Sequence, residues 1–271
     1  MYLVNDDLKV LHRKLLEMLQ DIDAVCEREN IQYYLIGGTL LGAVRHKGFI
    51  PWDDDLDIAI PRTDYDRFVE NASTWLGEKY YFQNYLADKN YFIPWSKVRL
   101  NGSVFKEKAL AKLDIHHGIF VDVFPLDSIS ESRFCRRVDS GHYMILFAAL
   151  MAKAGHFPYY TTLSPIGEFL FKTIRLVSKV IPRRVIVSCT EKLMQRHNKS
   201  DSRFCCFLWQ RLDWVFRWSD YGEGKRILFG NKEFRVPQEP EACLKEQFGD
   251  YMKLPPEEQR VQVHEVVEFR V

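Results

Sequence analysis

No two cysteines in this chain have the CxxC spacing of a metal or redox clip: the six (Cys26, Cys135, Cys189, Cys205, Cys206 and Cys243) are scattered over 271 residues. A chain of this size does not need disulfide staples, so they read as reduced thiols. No GxSxG elbow and no HExxH helix occurs, and covalent or zinc-based hydrolysis therefore finds no support. Long apolar runs are missing as well. "YMILFAALMA" has ten residues, against roughly 20 needed to cross a bilayer. The start, "MYLVNDDLKVLHRKLLEML", places charges where an export signal needs an apolar core, so a cytoplasmic location is expected. Charge imbalance is nearly absent too: 38 Lys plus Arg face 37 Asp plus Glu, and no global field calls for nucleic acid as partner.

What is present is an apolar, aromatic-rich chain, 46% hydrophobic and 14% aromatic, enough for a substantial core. Leu8, Leu11, Leu15, Leu16, Leu19, Ile22 and Val25 recur at helical spacing and predict a helix over 8–29. "IQYYLIGG" reads as a short strand ended by glycines, "TLLGAVRHKG" as a short helix, "LDIAI" as a second strand and "RTDYDRFVENASTWL" as a helix. Further strands are predicted at 80–85, 95–100 and 118–127. The alternation argues for an α/β (α+β) mixed sheet with helical cover over 1–130. Helical patterns dominate 131–220, read as an inserted helical subdomain. The remainder, 221–271, reads as a hairpin ("KRILFGNKEFRVP"), a short helix and a loop packing back on the core.

"FIPWDDDLDIAIP" (49–61) sets four acids in five positions at the mouth of an apolar strand. On a strand, Asp55 and Asp57 project from one face about 7 Å apart, with Leu56 behind them. Two such carboxylates repel unless a cation lies between them, and hard oxygen ligands favour Mg²⁺ or Mn²⁺. Mg²⁺ held by few carboxylates completes its shell with substrate phosphates. Asp122, alone in the apolar run "GIFVDVFPLD", is the expected third acid; Asp127 is the weaker candidate, and Asp53 and Asp54 are read as supporting residues that shape the turn or bind a water beside the metal. His116 and His117 read as polar loop residues.

With these residues in view, "LIGGTLLGAVRHKGFIPWDDDLDIAIPRTDYDRF" resembles the signature of the LicD family, and "DVFPLD" and "FGDYMKLPPEEQR" look like further family blocks. The resemblance implies a nucleotidyltransferase-like fold, a glycine pair (Gly37, Gly38), and metal and catalytic acids at Asp55, Asp57 and Asp122. It also implies a CDP-linked donor, CDP-choline foremost, and phosphoalcohol transfer to a sugar hydroxyl of a cell-surface glycan of teichoic acid or lipopolysaccharide type. Ribitol or glycerol phosphate transfer, nucleotidyl transfer and a non-enzymatic glycan-binding scaffold stand as alternatives.

Around the acids, the glycine turn admits phosphates to backbone amides at the start of a helix near Thr39, which caps that helix or touches phosphate. Arg45 and Lys47 read either as a pyrophosphate clamp or as cations at a helix end. Lys97 and Arg99 share a strand face, as a phosphate ligand or as a solvent-facing pair. Trp52 reads as a stacking platform or as core. Residues 131–200 hold twelve Lys plus Arg against four Asp plus Glu. Within them "SPIGEFLFKTIRLVSKVIPRR" is a basic amphipathic helix, either packed on the core with a solvated basic face or in peripheral contact with a membrane.

Overall fold

A computed structural model describes residues 2–156 and 165–271 of the chain. Helix α1 (Asn5–Arg28) opens it, with Asp6 and Asp7 in its first turn and Arg28 in its last, as the helix dipole favours. Its apolar stripe, including Leu8, Leu11, Leu15, Leu19 and Ile22, is buried in the main core. Each such side chain contributes about 1.5–3 kcal/mol on burial, before the entropy cost of ordering it.

Strands β1 (Tyr34–Leu35), β2 (Asp57–Pro61), β3 (Tyr80–Gln83), β4 (Ser96–Leu100) and β6 (Phe120–Ser128) form a sheet in the order β1-β2-β6-β4-β3. The central pair β2/β6 is parallel, and the β1/β2, β6/β4 and β4/β3 pairs are antiparallel. Helix α2 (Gly37–His46) joins β1 to the approach to β2, and α3 (Arg62–Leu76) follows β2. Because successive side chains alternate between faces, Ile58, Val123, Val121, Val98 and Phe82 line one side, and all lie in the main core. The register sets a different row on the other side: Asp57 opposite Asp122, Asp122 opposite Lys97, and Lys97 opposite Gln83.

Helices α4 (Arg133–Lys153), α5 (Pro165–Val180) and α6 (Arg183–Met194) make up most of the stretch read as helical. That reading stops short of 220, because β7 (Phe204–Cys206) pairs with the end of β6 and β8 (Phe216–Arg217) pairs with β7, returning the chain to the sheet before the short helix α7 (Trp218–Tyr221). Residues 157–164, within that stretch, lie outside the described residues. Among the described residues no helix is long and apolar enough to cross a membrane.

The expected hairpin is β9 (Lys225–Phe229) and β10 (Lys232–Val236), turned by Gly230 at φ +70° and Asn231. Helix α8 (Pro240–Phe248) follows. The last strand, β11 (Val266–Arg270), pairs with β5 (Val104–Glu107). Neither partner was read from the sequence, since each is short and gains its pairing only across most of the chain.

Candidate active site

Asp57 opens β2 and Asp122 lies beside it on β6, and the Asp122 amide donates to the Leu56 carbonyl at 2.9 Å. Asp55 sits in the extended approach to β2, with Leu56 fully buried behind it. The three acids named from the sequence therefore converge at one end of the parallel pair. Burial first, then Asp55 and Asp122, push the Asp57 carboxyl well above the usual carboxylate range. Asp55 is raised to about 6, by burial opposed by His264 and added to by Asp54 and Asp122.

Asp53 belongs to the same cluster and does more than shape a turn. Burial and its neighbours Asp55 and Asp54 raise it to about 8, and it shares a hydrogen bond with Asp55. Asp53, Asp55, Asp57 and Asp122 thus raise one another's electrostatic cost with Lys97 as a close cation, so the cluster is short of positive charge. The turn that presents it is pinned from α1: His12 stacks on Phe49 at 4.2 Å and its Nε2–H donates to the Asp53 carbonyl at 2.7 Å. Asp54 is tied elsewhere, accepting the backbone amides of Val263 and His264 at 3.1 and 3.0 Å and approaching His264 Nδ1 at 3.1 Å.

His264 was not among the residues named from the sequence; its partner lies 210 positions away. Burial acts to lower its pKa, but the bond to Asp54 and the charges of Glu107, Asp55 and Asp54 prevail and hold it near 9. Asp54, Asp55 and His264 have ligand atoms within 4.8 Å of one another. Within this trio His264 pairs with Asp54 at 3.1 Å and faces Asp55 as a counter-ion.

Asp122 is not alone. The Lys97 ammonium and the Trp95 indole N–H donate to it at 3.0 and 2.8 Å. Lys97 and Arg99 do share a face, as expected, with both cations over the Phe120 ring at 3.3 and 5.0 Å. They are buried, not solvent-facing. Lys97 belongs to the acid cluster, whereas Arg99 donates to Gln83 at 2.6 Å and to the Gly118 carbonyl at 2.9 Å and serves the interior of the sheet.

The glycine pair stands against the acids. Gly37 has φ +56°, and a Cβ there would lie 3.3 Å from Asp57 Oδ2; at Gly38 it would lie 2.7 Å from Asp53 Oδ2. Side chains at these positions would push the carboxylates aside. Helix α2 starts at Gly37 without a side-chain cap, which leaves its first-turn amides as donors. Thr39 does not cap it: its hydroxyl is buried and accepts the Asp57 amide at 2.9 Å, fixing helix to strand.

Arg45 and Lys47 are at the far end of α2, about 11–15 Å along its axis from the glycines at 1.5 Å per residue, and Arg45 is turned to the Tyr251 carbonyl, so they do not clamp an anion at the turn. Lys47 is the left-handed C-cap. Arg45 donates to the Tyr251 carbonyl at 2.7 Å. Together with Leu41, Ile50, Trp52, Tyr251 and Pro255 it lines a cavity of about 450 Å³. Trp52 is half-buried against the core and lies under the Arg260 guanidinium at 5.6 Å. Asp127 is structural, taking two bonds from Arg62 at 2.8 and 2.6 Å and one from Asn198 at 2.6 Å.

The donor chemistry suits a hard divalent cation, although among the described residues the ligand atoms of Asp55, Asp57 and Asp122 are not all within 4.8 Å of one another as those of Asp54, Asp55 and His264 are. Asp55, Asp57 and Asp122 offer only carboxylate oxygens, and the Asp57 carboxylate finds no hydrogen-bond donor among the described residues.

Residues 30–145 match the family model described as LicD/FKTN/FKRP, nucleotidyltransferase domain. The lipopolysaccharide cholinephosphotransferase LicD of Haemophilus influenzae is 25% identical over 265 residues, covering 92% of each chain. The ribitol 5-phosphate transferase FKRP of Homo sapiens is 32% identical over 113 residues, which is 42% of this chain and 20% of FKRP. An uncharacterized protein of Rickettsia typhi, RT0683, is 48% identical over 56 residues, 21% of this chain and 18% of that one.

Proposed function

We propose, for a chain whose residues 30–145 match the LicD/FKTN/FKRP nucleotidyltransferase-domain model, that it moves phosphocholine from CDP-choline to a sugar hydroxyl of a cell-surface glycan precursor of lipopolysaccharide or teichoic acid type. The observation that carries this reading is the Asp57–Asp122 pair, in register on parallel strands beside the uncapped start of α2. Support for phosphocholine as the transferred group comes from the cholinephosphotransferase relative, which spans nearly the whole chain.

Asp55, Asp57 and Asp122 would hold Mg²⁺ or Mn²⁺, which when bound supplies Lewis-acid polarisation of the phosphoryl oxygens. The first-turn amides of α2 receive the donor's pyrophosphate, and Lys97, fixed on Asp122, adds positive charge behind it. The rest of the donor lies along α2 in the cavity of Arg45, Trp52 and Tyr251. The acceptor oxygen forms a bond to the choline-bearing phosphorus while the bond from that phosphorus to the bridging oxygen breaks. CMP leaves with the electron pair, and the hydroxyl proton passes to a carboxylate of the cluster.

CDP-choline labelled separately in choline and cytidine tests this. Choline label is expected on the acceptor and cytidine label in CMP; cytidine label on the acceptor would mean nucleotidyl transfer instead. The similarity to a ribitol 5-phosphate transferase favours a second reading, transfer of ribitol or glycerol phosphate. It is read out by the mass added to the acceptor when those CDP donors replace CDP-choline. A glycan-binding scaffold would show no Mg²⁺-dependent donor binding.

A further inference from the structure

Helix α5 carries apolar side chains on two sides at once. Ile174 packs into the cluster built with α4 and α6, and Phe171 is buried. At 100° per residue, Ile166, Phe169, Leu170, Leu176, Val177 and Val180 fall within a separate arc of about 120°. All six are exposed, from 51% at Val177 to 82% at Val180. The arc runs for about 20 Å along the helix. Thr173 is the polar side chain inside the arc, its hydroxyl turned back to donate to the Phe169 carbonyl at 2.9 Å; soluble monomers seldom leave so long an apolar strip in water, so it has an occupant.

Charge identifies that occupant. Lys172 and Lys179 flank one edge of the arc, Arg175 lies further round the helix, and Glu168, paired to Lys172 at 2.7 Å, is the acid among them. This is the arrangement of a helix lying in the plane of an anionic surface, apolar side in the acyl boundary and cations at the headgroups. A second copy docked by the same strip would bring like charges together across the two-fold axis.

We propose that α5 seats the protein on an anionic bilayer, with Ile166, Phe169, Leu170, Leu176, Val177 and Val180 entering the headgroup region. This holds whatever group the active site transfers.

Flotation of the full chain with vesicles tests it. The protein is expected to rise with phosphatidylcholine vesicles containing phosphatidylglycerol at low salt, and much less at high salt or with phosphatidylcholine alone. The Phe169→Ser, Leu176→Ser double variant is expected to partition at least about tenfold less. Lys172→Gln, Arg175→Gln and Lys179→Gln should each cost about fivefold. Melting temperature and transfer to a soluble acceptor stay unchanged in all of them, which separates this proposal from that for the active site. Absence of flotation at low salt overturns it, as does a serine variant that floats like the parent. So does a serine variant that unfolds, since the strip would then be covered within the fold. A dimer that the serine substitutions dissociate, without flotation, assigns the strip to self-association and overturns it too.

Discussion

Asp122 and Asp127 lie on one strand, β6, and both are buried, yet they face opposite sides of the sheet and opposite electrostatic surroundings. Asp127 points towards α3, where both of its oxygens have donors from Arg62 and Asn198. Asp122 points into a cluster that also holds Asp53, Asp55 and Asp57, with Lys97 as its close cation. Asp122 also has a donor on each oxygen, from Trp95 and Lys97, but its neighbours are acids: Asp57 finds no donor among the described residues, and one close lysine faces several carboxyls, so this end of the strand lacks positive charge that Asp127 has in full.

Substitution separates the two most sharply. Asp57→Asn is expected to lower transfer by roughly 10³–10⁴-fold, while the melting temperature stays level or rises because a repelling charge is gone. Kinetics and a thermal melt on one preparation check both halves. Asp127→Asn should do the reverse. It leaves Arg62 partly unpaired in the interior and costs about 3–5 kcal/mol of stability, read by urea unfolding, with activity per folded molecule unchanged. Lys97→Met strips the acid cluster of its close cation and is expected to cost about 2–4 kcal/mol; the loss should shrink when Mg²⁺ is added, as it would not for Asp127→Asn. Smallest is His264→Gln, which weakens the tie of the C-terminal segment to Asp54 by about 1–2 kcal/mol and shows as earlier proteolysis after Val261.

The part of this contrast that local pattern carries was legible in the sequence. Asp55, Asp57 and Asp122 stand out as charges set in or against apolar strands, and the glycine pair before them marks a close approach. Partners at long range were not legible. Lys97 was read as one of two equivalent cations, yet strand register places it on Asp122 and leaves Arg99 to Gln83 and Gly118. His264 and Glu107 come from β11 and β5 or their flanks, whose pairing joins residues far apart in the chain. Of the two readings of Arg45 and Lys47, cations at a helix end is the one the structure bears out, and the clamp at the glycine turn fails for a simple reason. Proximity in sequence to Gly37 is not proximity in space once a ten-residue helix lies between. The helices of 133–194 followed their periodicity, but β7 and β8 are short and take their form from the edge of β6.

Whether the acid cluster is short of a divalent cation is measured most directly by calorimetric melting of the parent protein and Asp57→Asn with and without Mg²⁺. At Mg²⁺ near a hundred times its dissociation constant, the parent is expected to gain about 2.7 kcal/mol and Asp57→Asn to gain little. Equal gains in both proteins, or none in the parent, would contradict the account.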